Sequence, residues 1–124
     1  MSNTITCPPD TASIRVARQA ILEMLELDPA TAEDVALLVS ELVANAVLHG
    51  RTDFDVTAIR EADVVRIDVT DRCPTPPSMK RYGPEAPTGR GLRLVDLLAH
   101  RWGVEPEVPG PGKTVWFEIE VATA

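Results

Sequence analysis

A long, mostly apolar helical pattern from Thr31 to Gly50 constrains the fold of this chain more than any other stretch. Three polar residues within it, Glu41, Asn45 and His49, recur every four positions and would form a narrow polar stripe. Because burying a carboxylate and a carboxamide without partners is costly, the stripe should face either solvent or a polar ligand, and this helix alone leaves both open. The apolar residues would cover most of the remaining circumference, which predicts a largely buried helix: they are Val35, Leu38, Val39, Leu42, Val43, Ala46 and Val47.

The composition indicates one folded domain spanning residues 1–124. No apolar run approaches the roughly 20 residues of a membrane helix, and no signal segment opens the chain, so we expect a cytoplasmic protein without membrane contacts. Cys7 and Cys73 lack metal-ligand spacing and should be reduced thiols. The net charge of −7 argues against direct nucleic-acid binding.

Positive charge is concentrated in one segment of this acidic chain. Between residues 72 and 101 there are six basic residues against two acidic ones. The segment suggests a small anionic ligand, although a solvated surface patch explains it equally well. The basic residues are Arg72, Lys80, Arg81, Arg90, Arg93 and Arg101.

The order of the predicted elements indicates an α+β fold. A short edge strand should end near Cys7, and a first helix, capped by Asp10 or Thr11, should run to about Leu27 before Asp28-Pro29 stops it. The second helix should begin at a capping box from Thr31 to Asp34 and end at Gly50. The helices should cover one face of a mixed, mainly antiparallel sheet, as a two-layer α/β sandwich. The later elements should be strands at 53–60 and 64–70, a long loop at 72–88, a helix at 92–100, and strands at 101–107 and 115–121.

Two sequence features could bind parts of a nucleotide. The turn Thr88-Gly89-Arg90-Gly91-Leu92 would present backbone N–H groups at a helix start, where phosphate is favoured, although glycines also serve any tight turn. Asp71 ends an apolar strand, where its carboxylate could accept a hydrogen bond from the amino group of adenine and repel the carbonyl oxygen of guanine. It could equally be an aspartate that initiates a turn.

The polar stripe of the long helix could supply the remaining chemistry. Asn45 can offer a carbonyl oxygen to Mg²⁺, a cation that prefers oxygen ligands. Glu41, one turn earlier, could orient or deprotonate an attacking hydroxyl. His49 fits a helix cap or a supporting residue better than a catalyst.

Together these motifs resemble the GHKL ATPase superfamily, which includes gyrases, Hsp-type chaperones and histidine kinases, over residues 11–121. Glu41-x-x-x-Asn45-Ala46 is similar to its N box, Asp71 stands where its first glycine box begins, and Gly89-Arg90-Gly91-Leu92 is similar to the second. Gly112-Lys113-Thr114 resembles the closing segment, whose threonine lies near the adenine end of the pocket.

Within that superfamily the chain looks most like the stand-alone anti-sigma-factor serine/threonine kinases. The resemblance implies binding of ATP and Mg²⁺, and a sigma factor or an anti-sigma-antagonist protein as partner; it leaves a homodimer open. It also implies the following roles: Glu41 as general base, Asn45 as Mg²⁺ ligand, Asp71 as adenine anchor, Gly89, Arg90, Gly91 and Leu92 as phosphate contacts, Thr114 as a contact near adenine, and residues 72–88 as the nucleotide lid.

One position departs from the family pattern. The first glycine box reads Asp-x-Gly, whereas this chain has Cys73, followed by Pro74. A Cβ and a proline restrict the backbone where the glycine would leave it free. The alternative is therefore a non-catalytic module of the same fold that binds a partner protein and binds nucleotide weakly or not at all.

Overall fold

The computed structural model describes residues 2–73, 90–107 and 110–121. These residues form three α-helices, one π-helical turn and five strands. In order they are β1 (Ser2–Cys7), α1 (Ala12–Met24), α2 (Pro29–Asn45), the π-helical turn (Ala46–Gly50), β2 (Phe54–Glu61), β3 (Val64–Asp71), α3 (Arg90–Leu98), β4 (Arg101–Pro106) and β5 (Lys113–Glu120).

The five strands form one open sheet in the order β1-β2-β3-β5-β4. Every described pairing is antiparallel, where the sequence predicted a mixed, mainly antiparallel sheet. The helices pack on one face of the sheet, with α2 against β3 and β5, which confirms the predicted α+β fold. Alternation along β3 and β5 supplies the core from the sheet side: Val65, Ile67, Val69, Val115, Phe117 and Ile119 are all buried.

The junction between α1 and α2 differs from the prediction. α1 ends at Met24, and Asp28-Pro29 begins α2 instead of stopping α1. An Oδ2 atom of Asp28 accepts a hydrogen bond from the backbone N–H of Thr31 at 3.2 Å, and Pro29 occupies the first turn. The predicted capping box beginning at Thr31 is therefore wrong. Asp-Pro suits a helix start as well as a helix stop, because aspartate caps and proline fits the first turn.

The end of α2 also differs from the prediction that Gly50 terminates the helix. After Asn45 the helix widens into the π-helical turn Ala46–Gly50, and Arg51, not Gly50, adopts the left-handed conformation with φ 55°. Turns of this kind occur often at functional sites. The change in helix geometry thus falls immediately after the asparagine that the sequence singled out.

Two further expectations concern the described residues. Cys7 and Cys73 are free cysteines, as predicted. Among the described helices, none combines the length and the apolar character that crossing a membrane would require.

Candidate functional site

Glu41 and Asn45 lie on the same side of α2, one helical turn apart, as the spacing predicted. Glu41 is half-buried, whereas Asn45 is only 8% exposed. His49 follows in the π-helical turn and is also half-buried. The stripe is therefore most buried at Asn45, on the helix that packs against β3 and β5.

The side-chain amide of Asn45 is only partly satisfied within the protein. Its Nδ2 atom is buried and has no hydrogen-bond partner among the residues that the structure describes. A buried amide without a partner destabilises a fold by about 1–3 kcal/mol, so its presence calls for a reason. A polar ligand bound beside Asn45 supplies one.

Asp71 ends β3 directly opposite Lys113, the first residue of β5. The Nζ atom of Lys113 lies 2.5 Å from Oδ2 of Asp71, and the two side chains are 7% and 4% exposed. The backbone N–H of Cys73 donates to the other carboxylate oxygen, Oδ1, at 3.0 Å. Both oxygens of the predicted adenine anchor therefore have partners within the protein.

The hydrogen bond from Cys73 explains how this chain tolerates the missing glycine. An aspartate that accepts from the N–H two residues later forms a compact turn that any residue can enter. Among the described non-glycine residues only Arg51 and Ala62 have positive φ, so Cys73 is not held in a conformation that favours glycine.

Thr114 lies on the opposite face of the sheet from Asp71, and its predicted contact with nucleotide stays a prediction. Neighbouring residues of a strand point to opposite faces of the sheet, and Lys113 shares the face of Asp71. The Thr114 hydroxyl donates to Oε1 of Glu107 at 2.9 Å and lies 2.7 Å from Oγ1 of Thr70. Lys113, and not Thr114, therefore contacts the Asp71 carboxylate.

Gly112 brings this segment close to the end of β3. Its φ is +106°, and a Cβ at this position would lie 2.0 Å from the carbonyl oxygen of Asp71. Only glycine combines this conformation with this approach. The contact fixes where β5 begins and so places Lys113 opposite Asp71.

Only part of the predicted phosphate-binding motif, from Arg90 onward, lies within the described residues. Arg90, Gly91 and Leu92 form the first turn of α3, at a helix start as the motif predicted, and α3 packs against α2. Gly89 lies outside the described residues, as does the predicted lid apart from Arg72 and Cys73.

A depression lies on the sheet face that the helices leave uncovered. It is open to solvent and has a volume of about 560 Å³. Three of its charged groups are already paired, since Arg66 contacts Asp68 at 2.7 Å and Glu118 at 3.9 Å. The helix-covered side, with an unsatisfied Asn45, is therefore the stronger candidate.

Comparison with known proteins agrees with this geometry. The family model described as a histidine kinase-like ATPase domain matches residues 7–119. This chain belongs to the histidine kinase-like ATPase domain family. Family membership confirms the predicted superfamily and makes nucleotide binding the class of activity to expect.

A solved structure shares the fold. The histidine kinase domain from the Erythrobacter litoralis EL346 blue-light activated histidine kinase superposes with a TM-score of 0.64 at 22% sequence identity, covering 97% of this chain and 68% of that one. At this identity the likeness shows the ATPase-domain fold alone. A search of curated protein sequences finds no significant match.

Lys113 was not predicted from the sequence as a residue of the candidate site. The signal was available, because Val115, Phe117 and Ile119 form the buried face of β5 and the same alternation extends back to Lys113. A lysine in register with a buried apolar face is unusual and indicates a specific partner.

Proposed function

We propose that this ATPase domain is a protein serine/threonine kinase that uses ATP and Mg²⁺ and regulates a sigma factor, by phosphorylating an anti-sigma-antagonist protein. The observation that carries the proposal is the buried Nδ2 atom of Asn45, one turn after Glu41, which lacks a hydrogen-bond partner among the described residues. Such a regulator would act in the cytoplasm, where its partners are found.

The two residues of α2 have complementary roles in this proposal. The side-chain oxygen of Asn45 would hold Mg²⁺, which would offset the negative charge of the phosphates. Glu41 lies one turn before Asn45 and is half-buried, so its carboxylate stays accessible to a second protein. It would accept the proton of the attacking serine or threonine hydroxyl.

The transfer itself involves one bond formed and one broken. The hydroxyl oxygen of the partner protein bonds to the γ-phosphorus of ATP, and the bond from that phosphorus to the leaving oxygen of ADP breaks. The hydroxyl proton passes to a carboxylate oxygen of Glu41. Positioning and charge stabilisation account for most catalysis in reactions of this kind.

A second candidate function is a non-catalytic module that binds a partner protein. The observation that favours it is the engagement of both Asp71 oxygens, by Lys113 and by the Cys73 N–H. If those contacts prevent base recognition, the fold would serve as a binding surface with little affinity for nucleotide.

Calorimetric titration with ATP separates the two functions. The intact chain should bind ATP more tightly with Mg²⁺ than with a chelator present, and Asn45→Ala should lose that difference. Asn3→Ala, which changes an exposed asparagine in β1, is the matched control and should bind as the intact chain does. No binding at millimolar ATP would reject the kinase and favour the binding module.

A further inference from the structure

Lys113 is a buried cation at the position where the proposed function requires recognition of the nucleotide base. We infer that Lys113 is a specificity-determining residue that weakens the preference of Asp71 for adenine over guanine. This inference rests on the proposed nucleotide binding and concerns the choice of base within it.

An aspartate acting alone would favour adenine. Its oxygens only accept hydrogen bonds, so they pair with the exocyclic amino group of adenine and repel the carbonyl oxygen of guanine. A hydrogen bond to an ionised group corresponds to roughly a tenfold or larger change in an equilibrium constant. An unpaired Asp71 should therefore select ATP over GTP by at least that factor.

Lys113 weakens both the attraction of Asp71 for the adenine amino group and its repulsion of the guanine carbonyl oxygen. The ammonium group lies 2.5 Å from Oδ2 of Asp71, so it competes with the adenine amino group for that oxygen. It also neutralises the negative charge that would repel the carbonyl oxygen of guanine. Adenine loses part of its advantage and guanine loses part of its penalty.

Displacing Lys113 from Asp71 would be unfavourable. Both side chains are buried, and the two residues are direct cross-strand partners in the antiparallel register of β3 and β5. The amino group of adenine is neutral, so replacing the lysine with it would leave a buried ammonium without its counter-charge. The close approach of Gly112 to Asp71 also holds the start of β5 in place.

Competing equilibrium titrations with Mg-ATP and Mg-GTP test the inference on the full chain. The intact protein should bind the two nucleotides with Kd values within about fivefold of each other. Lys113→Thr, which leaves the carboxylate without the ammonium, should raise the preference for ATP by about tenfold. Arg15→Gln, which removes an exposed positive charge from α1, is the control for net charge and should leave the ratio unchanged.

Lys113→Gln guards against a variant that does not fold. Glutamine can still donate to Asp71 but lacks the charge, so the ATP preference should rise by at least about threefold. A fivefold or larger ATP preference in the intact protein, or an unchanged ratio in the folded variants, overturns the inference while nucleotide binding itself stands. If neither nucleotide binds to the intact chain or to Lys113→Gln, the proposed function fails and the inference fails with it.

Discussion

Gly112 lies against the backbone of Asp71, so closely that a Cβ on the glycine would be 2.0 Å from the Asp71 carbonyl oxygen. Gly112 also has φ +106°, which strains any other residue. Gly112→Ala should therefore lower the free energy of unfolding by about 3 kcal/mol, from backbone strain and from the movement needed to relieve the clash. Urea-induced unfolding followed by circular dichroism measures the loss.

Gly110 provides the control for this substitution. It lies two residues earlier, and nothing comes within 4 Å of a Cβ placed on it. Gly110→Ala should change stability by less than about 0.5 kcal/mol. Equal effects at both positions would show that the approach of Gly112 to Asp71 does not constrain the fold.

The start of α2 provides a second prediction. Asp28→Ala removes the cap on the Thr31 N–H and should lower the free energy of unfolding at neutral pH. Hydrogen bonds from Thr31, first from its side chain and then from its backbone, hold the pKa of Asp28 below the ordinary value of 3.8. A pKa that is lower in the folded state stabilises the fold at pH values above the pKa of the unfolded state. The difference in free energy of unfolding between the intact protein and Asp28→Ala should therefore vanish as the pH falls through the folded-state pKa of Asp28.

Asp34→Ala tests whether the helix is capped by Asp28, as observed, or by the predicted capping box. Asp34 is exposed in the same helix and was the last residue of the predicted capping box. Thermal unfolding should show little change for this variant. A loss equal to that of Asp28→Ala would contradict the observed helix start.

The successes and errors of the sequence reading have physical causes. The alternation in β3 and β5 predicted both strands, because burial of one sheet face imposes a period of two. The same rule places Thr114 on the opposite face from Asp71: a motif identifies residue types, but a shift of one position along a strand reverses the face. The prediction that Asp28-Pro29 ends a helix was wrong because this dipeptide suits either end of a helix. Only the extended backbone of Asp28 distinguishes a helix start from a helix end.

Asn45 should show opposite effects on stability and on function. Replacing it with alanine removes a buried Nδ2 atom without a hydrogen-bond partner among the described residues and introduces a better helix former. We expect Asn45→Ala to keep or raise the free energy of unfolding, by up to about 1 kcal/mol, when no nucleotide is present. A loss of about 1 kcal/mol or more would mean that the amide has a structural role, and the case for a ligand site would lapse.

Glu41 should affect phosphate transfer and leave nucleotide affinity largely intact. Glu41→Gln preserves size and hydrogen bonding but cannot accept the hydroxyl proton, so the transfer rate should fall by about 100-fold or more. The Kd for Mg-ATP should stay within about twofold, because the carboxylate is proposed to act on the attacking hydroxyl and not on the nucleotide.

Transfer of labelled phosphate to a purified anti-sigma-antagonist protein measures this rate, and calorimetry measures the affinity. Glu33→Gln is the matched control, because Glu33 is an exposed glutamate on the same helix and its loss should alter neither quantity. Parallel losses of rate and affinity in Glu41→Gln would assign the residue to nucleotide binding. A normal rate would exclude Glu41 as the base, since a general base must be ionised and in contact with the reacting hydroxyl.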